Sequence, residues 1–357
     1  MKVVHLVTSL DFGGLERRME ILSLFPSESN HYIFCALGGG GATYKKMVSN
    51  GADVTLLKSE TKIFRIQTYL KLRNFLKEKK PQVLHTHGGE ANFYGHLAAI
   101  GLGINIRISE EIGIPEYSRL SRFVFSKVLM LSQAMIAMSP VVKDFLSSEG
   151  IVKKDKIHLV YNPVLLSESK KEKKAINKLR FVFIGRLEEV KNPLGLLRSF
   201  HSLLLINDNV ELIYVGDGRQ REAVNTYASE HNISRYVNCL GFNSDPLSIV
   251  RTCDVVVQPS HTEGFSLALV EAISCGLPAV VTPVGSAKTL IENDVNGWVV
   301  DSSQDEDIFL GLKKALNNKN SLLRMGETAA NKVTEKHNPR LYSERLDEFY
   351  MSLEFKI

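Results

Sequence analysis

Two glutamates, Glu263 and Glu271, stand eight residues apart in a segment rich in turn and helix signals. A glycine and, two residues later, a serine follow Glu263 and indicate a turn from a strand into a helix, which we predict over about 266–275. Eight residues at a rise of 1.5 Å span about 12 Å along a helix axis. The two carboxylates could therefore contact opposite ends of one extended ligand.

The start of this predicted helix offers backbone N–H groups to the same ligand. Unpaired N–H groups at a helix N-terminus, together with the helix dipole, favour an anion. We therefore predict that phosphates lie against the turn formed by Gly264, Phe265, Ser266 and Leu267.

A second cluster combines two cations with a helix start. Gly185 and Arg186 end an apolar strand, and Lys191 lies two residues before Pro193, which suits the first turn of a helix. Arginine grips a diphosphate with two hydrogen bonds and lysine adds a compact charge, so the pair could stabilise a departing diphosphate without a metal. The alternative is that both cations pair with the adjacent acids at 188–189.

Gly13 and Gly14 follow the first predicted strand and open the first helix. Paired glycines let the backbone approach an anion, and the helix start can hold phosphate. The third glycine of the dinucleotide fingerprint G-x-G-x-x-G is absent, which disfavours a nicotinamide enzyme. A turn needed only for tight packing is the alternative.

Short apolar, β-branched runs alternate with helical stretches along the chain, which is typical of βαβ units and parallel sheets. The alternation stops at a charged, polar stretch that suits a linker, and then begins again. We therefore predict two doubly wound domains, 1–165 and 179–340, joined by a linker over 166–178. Ligands of open α/β sheets bind beyond the carboxyl ends of the strands, so the site is expected between the domains.

The composition excludes several classes of protein. The 357 residues are 44% hydrophobic and 23% charged, which fits a folded globular chain of about two domains. The longest apolar stretch, 128–142, falls short of the roughly twenty residues of a membrane span, and the amino end lacks a signal peptide, so we expect a cytoplasmic protein. Four scattered cysteines indicate neither a zinc site nor disulfides.

The net charge of +5 is unevenly distributed along the chain. Residues 1–170 carry 22 Lys and Arg against 15 Asp and Glu, whereas residues 171–357 carry 22 against 24. This excess is too small to indicate a nucleic-acid partner. The basic clusters over 71–80 and 119–127 favour peripheral contact with an anionic membrane, with a solvated surface as the alternative.

Taken together, these motifs resemble those of the retaining nucleotide-sugar glycosyltransferases of family 4. The likeness extends over nearly the whole chain and implies the α/β GT-B fold, in which two doubly wound, Rossmann-like domains face each other across a deep cleft. In such folds the final helix, here 341–357, often crosses back onto the first domain. The matching residues are Gly13, Gly14, Gly185, Arg186, Lys191, the turn at Gly241 and Phe242, and the segment from Glu263 to Glu271.

The resemblance also implies roles for these residues. The donor nucleotide sugar would bind the second domain, with Glu271 on the ribose hydroxyls and Glu263 near the hydroxyls of the transferred sugar. Arg186 and Lys191 would neutralise the diphosphate leaving group, and Gly14 would close on it from the first domain. The family transfers sugar with retention and needs no metal or other cofactor.

The acceptor side departs from the family pattern. A histidine is common at the end of the fifth strand of the first domain, where this chain has Glu110 and Glu111. His85 and His87 end the fourth strand and share one face of the sheet, as a metal pair would require, but no third ligand is evident, so we expect no metal. We assign all four residues to the acceptor side, with a core role for the histidines as the alternative.

We therefore expect a hexosyltransferase that moves a sugar from a nucleotide-diphosphate sugar to a hydroxyl of a carbohydrate or lipid-linked oligosaccharide. UDP is favoured over GDP only by its frequency in the family. The expected setting is surface polysaccharide synthesis at the inner face of the membrane. The alternatives are a sugar-nucleotide epimerase of the same fold and a catalytically silent nucleotide-binding subunit.

Overall fold

The structure is a computed structural model, and it describes residues 1–11, 13–111, 119–166, 178–263 and 265–354, with the backbone alone at 119 and 120. Gly264, nearly all of the predicted linker over 166–178 and the last residues of the predicted final helix lie outside these ranges. The chain forms two compact units. The first comprises Met1–Val164 and His337–Ile357, and the second comprises Leu165–Lys336.

The first unit contains a seven-stranded parallel sheet with the strand order β3-β2-β1-β4-β5-β6-β7. The order reverses beside β1, so the carboxyl ends of β1 and β4 flank the point at which open α/β sheets bind ligands. Strands β1 to β7 are Lys2–Val7, His31–Ala36, Asp53–Leu56, Val83–His87, Ile106–Glu111, Ala134–Ala137 and Ile157–Leu159.

The fifth strand lies two residues further along the chain than its sequence indicates. Its apolar run predicts a strand over 104–109, whereas β5 extends over Ile106–Glu111 and so includes Glu110 and Glu111. Glu110 is paired in register with His87 on one side and with Ile136 on the other. Neighbouring strands on both sides hold the backbone extended, which outweighs the low strand propensity of glutamate.

Helices cover both faces of the first sheet. On one face α1 and α14 pack over Val3, Val7 and Ile108, and on the other face α3, α4 and α5 pack over Val4 and Leu6. The final helix thus packs on the sheet of the first unit. The helices of this unit are α1 (Gly14–Leu24), α2 (Ala42–Ser49), α3 (Ile66–Lys79), α4 (Gly89–Ala99), α5 (Arg119–Leu129), α6 (Pro140–Ser148) and α14 (Pro339–Glu354).

The second unit contains a six-stranded parallel sheet with the order β10-β9-β8-β11-β12-β13. These strands are β8 (Leu179–Ile184), β9 (Val210–Val215), β10 (Val237–Cys239), β11 (Val255–Gln258), β12 (Ala279–Val281) and β13 (Gly297–Val299). The helices are α7 (Pro193–Leu204), α8 (Arg221–Glu230), α9 (Pro246–Val250), α10 (Leu267–Ser274), α11 (Ala287–Leu290), α12 (Asp305–Asn317) and α13 (Leu322–His337).

The core of the second unit is apolar. Phe181, Phe183, Phe200, Tyr214 and Trp298 are almost entirely buried, and they belong to one continuous cluster. Two doubly wound α/β sheets are therefore present, which confirms the predicted fold class. Within the described ranges, no helix combines the length and apolar character needed to cross a membrane.

Candidate active site

The candidate site of the second unit lies where β8 and β11 end. After β8 the chain passes Gly185, whose φ of 144° suits glycine, and reaches Asn192, whose φ of 55° is left-handed. The Asn192 side chain caps α7 by accepting a hydrogen bond from Gly195 N at 3.2 Å. Lys191 is the residue directly before this cap, so the cap fixes where the lysine leaves the backbone.

Two strand ends touch through their glycines. A Cβ atom on Gly216 would stand 1.9 Å from the carbonyl oxygen of Gly185, so only glycine permits this approach. The Gly216 N–H donates in turn to the Gly241 carbonyl at 2.9 Å. The ends of β8, β9 and β10 are therefore drawn together, and the predicted donor residues Gly185 and Gly241 both belong to this edge.

Lys191 and Glu263 form an ion pair across 72 positions of sequence. The same carboxylate oxygen, Oε1, also accepts hydrogen bonds from Gln258 Nε2 at 2.6 Å and from Ser260 Oγ at 3.3 Å. The exposed fractions of the side chains are 20% for Lys191 and 10% for Glu263, so both remain partly open to solvent. The structure thus brings together one cation and one acid that the sequence places far apart.

Gln258 is a site residue that the sequence motifs did not reveal. It is the last residue of β11, and its Nε2 also donates to Ser266 Oγ at 2.7 Å. Ser266 in turn accepts from Leu269 N and caps α10. Gln258 Oε1 and Ser286 Oγ are buried and have no hydrogen-bond partner among the described residues, and both residues line the same small pocket as Glu263. The sequence signal that could have revealed Gln258 is a single polar residue at the end of an otherwise apolar strand.

Arg186 is exposed and forms no ion pair with the described residues, so its guanidinium is available to a ligand. The neighbouring acid Glu188 pairs instead with Arg219 Nε at 2.9 Å. Hydrogen bonds from the Arg219 backbone and side chain lower the pKa of Glu188. Pairing of the two cations with the local acids, the alternative considered above, is therefore not observed for Arg186 or Lys191.

Glu271 lies on α10, one turn after its start, and its helical distance from Glu263 is shorter than the sequence indicates. Because α10 begins at Leu267, only the last part of the eight-residue offset from Glu263 is helical, which gives about 6 Å of helical rise instead of about 12 Å. Glu271 is half-buried, as are Phe265 and Leu267. On the neighbouring β10 edge, Phe242 is 71% exposed and offers a flat apolar surface.

In the first unit, Gly14 begins α1 and is exposed, while the Gly13 carbonyl accepts from Arg17 N at 3.0 Å. The space beside Gly13 holds the Glu16 carboxylate, because a Cβ on Gly13 would lie 2.3 Å from Glu16 Oε2. Ser9 Oγ donates to this carboxylate at 3.3 Å. An acid in the first turn stabilises the helix dipole, so the start of α1 already has an internal anion.

The predicted acceptor-side residues lie in the interior. His85, His87 and Glu110 have no exposed surface, and Glu111 is 5% exposed. The registers of β1, β4 and β5 place His5, His85, His87 and Glu110 on the sheet face that α1 and α14 cover. We therefore no longer assign acceptor contact to His85, His87 or Glu110, because they have no surface with which to touch an acceptor.

These residues form one buried polar cluster with Arg18 of α1. Arg18 forms an ion pair with Glu110 and donates to Asn162 Oδ1 at 2.9 Å. Burial alone would raise the pKa of Glu110, but Arg18 and the histidines hold that pKa well below its ordinary range. Burial lowers the pKa of His87 to about 3, so this histidine is neutral near pH 7.

His5 provides the third histidine that the sequence did not reveal. Its Nδ1 lies 3.0 Å from His87 Nε2, and His85 Nδ1 lies 2.8 Å from the Tyr350 hydroxyl of α14. The three histidines offer nitrogen atoms close enough to share a metal ion. The Arg18 guanidinium, 3.2 Å from His87 Nδ1, opposes a further cation, so we assign a positioning role to this cluster.

Comparison with known proteins assigns the family. Residues 12–168 match the family described as "Glycosyltransferase Family 4", and residues 167–332 match "Glycosyl transferases group 1". The chain belongs to the GT-B glycosyltransferases of the family 4 type. The resemblance seen in its motifs is thereby confirmed.

Two relatives of this glycosyltransferase align over nearly their full length. The chain is 26% identical to the UDP-Gal:alpha-D-GlcNAc-diphosphoundecaprenol alpha-1,3-galactosyltransferase of Escherichia coli, over 99% of this chain and 97% of that protein. The chain is also 22% identical to the capsular polysaccharide biosynthesis glycosyltransferase CapM of Staphylococcus aureus, over 98% of this chain and 96% of that protein.

A solved structure shows the same fold. The crystal structure of Anabaena Alr3699/HepE in complex with UDP superposes with a TM-score of 0.87 at 17% identity, over 99% of this chain and 100% of that one. The glycosyltransferase activity and a role in polysaccharide or lipid-linked synthesis follow from the family and these relatives.

Proposed function

We propose that this glycosyltransferase transfers a hexose from a UDP-sugar to a hydroxyl of a lipid-linked oligosaccharide, with retention of the anomeric configuration and without a metal. The names of the Escherichia coli relative, which uses UDP-Gal and a diphosphoundecaprenol acceptor, and of the UDP complex support this donor and acceptor. We place the reaction at the cytoplasmic face of a membrane, because lipid-linked precursors are presented at a bilayer surface.

The observation that carries the proposal is the Lys191–Glu263 pair beside the free Arg186 at one sheet edge. A nucleotide sugar carries two negative charges on its diphosphate, so the two cations are its natural partners. Glu263 is the carboxylate that meets the hydroxyls of the transferred sugar in this proposal. Gln258 positions this carboxylate and the cap of α10 by hydrogen bonds to both Glu263 and Ser266.

The proposed reaction breaks the bond between C1 of the sugar and the diphosphate oxygen. The bonding electron pair leaves with UDP, where Arg186 and Lys191 stabilise the developing negative charge. The acceptor hydroxyl attacks C1 from the same face, and its proton passes to the departing phosphate oxygen. The backbone at Ser266 and Leu267, the start of α10, faces the phosphates, and Glu271 holds the ribose.

Two surfaces complete the donor site in this proposal. Phe242, exposed at the edge next to Gly241, is a platform for the uracil ring. The start of α1 at Gly13 and Gly14 is the second such surface, and its contact with the diphosphate remains a prediction from the family resemblance. Glu111, at the end of β5, is 5% exposed and accepts a hydrogen bond from Asn92 Nδ2 at 3.0 Å, and its contact with the acceptor remains a prediction from the sequence.

Replacing Lys191 tests the leaving-group role. Lys191→Ala should lower turnover of a UDP-hexose by about a hundredfold or more, by analogy with the loss of one preorganised electrostatic contact. Lys314→Ala, which removes an exposed lysine on α12 of the same unit, is the matched control and should retain turnover. Equal rates for the two variants would exclude Lys191 from the mechanism.

Four further measurements test the rest of the proposal. NMR of the product should show the donor's anomeric configuration, and inversion would contradict the retaining mechanism. Melting temperatures measured with UDP-sugars and GDP-sugars should rise only with the UDP series.

Turnover should survive addition of EDTA. Incubation of the UDP-sugar without acceptor should leave it unchanged, whereas an epimerase would interconvert it.

A further inference from the structure

Three large apolar side chains stand in solvent at the start of α3 in the first unit. Phe64, Ile66 and Leu70 are 70%, 75% and 50% exposed. Ile66 and Leu70 are four residues apart and share one face of the helix. We call these three residues the Phe64 surface. An exposed group of large apolar side chains usually marks a contact with a membrane or another molecule.

The backbone beneath this surface is held firmly. Phe64 has a φ of 65°, a left-handed conformation that is unusual for a bulky residue. The Tyr94 hydroxyl fixes the segment on both sides, because it accepts from Arg65 N at 2.9 Å and donates to the Lys62 carbonyl. The Phe64 ring packs edge-on against Phe93, with centroids 5.2 Å apart. The structure thus maintains a strained conformation that keeps an aromatic ring exposed, which is typical of functional segments.

The segment that carries the Phe64 surface has a net positive charge. Residues 58–66 contain three Lys and Arg and one Glu, a net charge of +2. Lys58 and Lys62 are exposed and form no ion pair with the described residues, while Arg65 pairs with Glu60 at 2.8 Å. Apolar side chains surrounded by unpaired cations complement an anionic lipid surface.

The alternatives fit this surface less well. A second copy of the chain would bring two segments of net charge +2 together, and like charges repel. The basic segment at 119–127, which we also considered for membrane contact, is less suited, since Arg122 pairs with Glu149 and Lys127 lies over the Phe123 ring. A bilayer is therefore the partner that both the apolar and the charged groups favour.

We propose that the Phe64 surface inserts into the interface of an anionic bilayer, with Lys58 and Lys62 on the lipid headgroups. This inference rests on the proposed function and extends it. The segment over 57–65, which carries Phe64, follows the carboxyl end of β3, at the same sheet edge as Gly13 and Gly14. The bilayer then holds a lipid-linked acceptor near that edge. Membrane binding itself requires no turnover, so it can be measured separately.

Flotation of the purified full chain with lipid vesicles tests the proposal. Vesicles of equal amounts of phosphatidylcholine and phosphatidylglycerol should carry the chain upward, and phosphatidylcholine alone should carry much less. The variant Phe64→Asn/Ile66→Gln should reduce partitioning about tenfold or more. Asn tolerates the left-handed conformation and Gln is a good helix former, so both replacements suit the backbone.

A control variant separates this surface from exposed apolar residues in general. Leu205→Asn/Ile206→Gln removes side chains that are 79% and 54% exposed in the second unit, and it should float like the wild type. Lys58→Ala/Lys62→Ala should weaken binding about fivefold for each cation removed. Equal flotation of the Phe64 variant and the wild type, or no flotation of the wild type, would overturn the proposal.

A gain-of-signal variant avoids dependence on loss of binding. Phe64→Trp should shift its fluorescence to the blue on anionic vesicles and be quenched by brominated lipid, while Trp298, buried in the second unit, provides a constant background. An unchanged spectrum would contradict insertion. A concentration-dependent dimer that is lost in Phe64→Asn/Ile66→Gln would also contradict it, because dimer formation would then explain the exposed surface. Thermal stabilisation by UDP without vesicles reports the donor site independently.

Discussion

The two sheets of this glycosyltransferase carry ionisable side chains in different places. In the first unit Arg18 of α1, Glu110 and three histidines are buried between the sheet and the helices α1 and α14. In the second unit the core is apolar, and Lys191 and Glu263 lie at the edge with part of their surface exposed. The same architecture therefore uses charge in two ways.

This difference in burial indicates which charged side chains position a helix on its sheet and which can bind a ligand. A buried ion pair has no free surface, and its energy depends on leaving no charge unpaired, so it fixes how α1 packs on its sheet. A pair that keeps part of its surface exposed can exchange one partner for a ligand at a smaller cost, because water or the ligand can solvate the charge that is released. Changes in the buried cluster should act on stability, and changes at the edge on catalysis.

The largest stability effect should follow from breaking the buried pair. Arg18→Met leaves Glu110 charged and unpaired and should lower the free energy of unfolding by about 3–5 kcal/mol, as measured by chemical denaturation. Arg17→Met on the same helix, where the ion pair to Glu20 is partly exposed, is the matched control and should cost less than about 1 kcal/mol. The double variant Arg18→Met/Glu110→Leu should recover part of the loss. Similar costs for Arg17 and Arg18 would remove the contrast between the units.

Lowering the pH should have the second largest effect on stability, mainly in the first unit. Burial lowers the pKa of His87 and of His96 from 6.5 to about 3, so the unfolded chain binds protons that the folded unit excludes. Stability is therefore lost as the pH falls from 6.5 towards 3, by about 2 kcal/mol for each histidine at pH 5. The depressed pKa of Glu110 adds a further loss at lower pH.

Trp298 provides the measurement, because it is the single tryptophan of the chain and lies in the second unit. Between pH 7 and pH 5, the denaturation midpoint followed by circular dichroism should fall more than the midpoint followed by Trp298 fluorescence. Equal shifts of both signals would show that the titrating groups are not confined to the first unit.

The smallest effect should come from an exposed ion pair of the second unit. Arg198 Nη2 lies 3.0 Å from Asp305 Oδ1, and both side chains are largely exposed. Asp305→Asn should therefore lower stability by less than about 1 kcal/mol in Trp298-monitored denaturation. A loss as large as that of Arg18→Met would mean that exposure does not decide the strength of these pairs.

Much of this molecule was predictable from local patterns. Alternating apolar runs and helical periodicity gave the two parallel sheets, because burial of strands on both faces requires continuous apolar segments. Helix signals placed Pro193 and Ser266 at the starts of α7 and α10, where the structure has them. These features depend on neighbours within a few residues.

Other features escaped the sequence for a physical reason. His5 interrupts an apolar strand and Arg18 follows a glycine turn, yet neither position by itself indicates that they join Glu110 in one cluster. The sequence predicts an acceptor role for the histidines because strand ends usually border a site. Coverage of that sheet face by α14, whose residues are more than 240 positions away from them, buried them instead.

The sequence by itself determined the fold class, the family and the residue types at the donor edge, since these follow from periodicity and from motifs contained in short segments. Only the tertiary structure decided which charges are buried and which remain available to a ligand. The pairing of Lys191 with Glu263 and the burial of Glu110 depend on strand register and on a helix from the far end of the chain, and contacts between distant segments leave no local pattern.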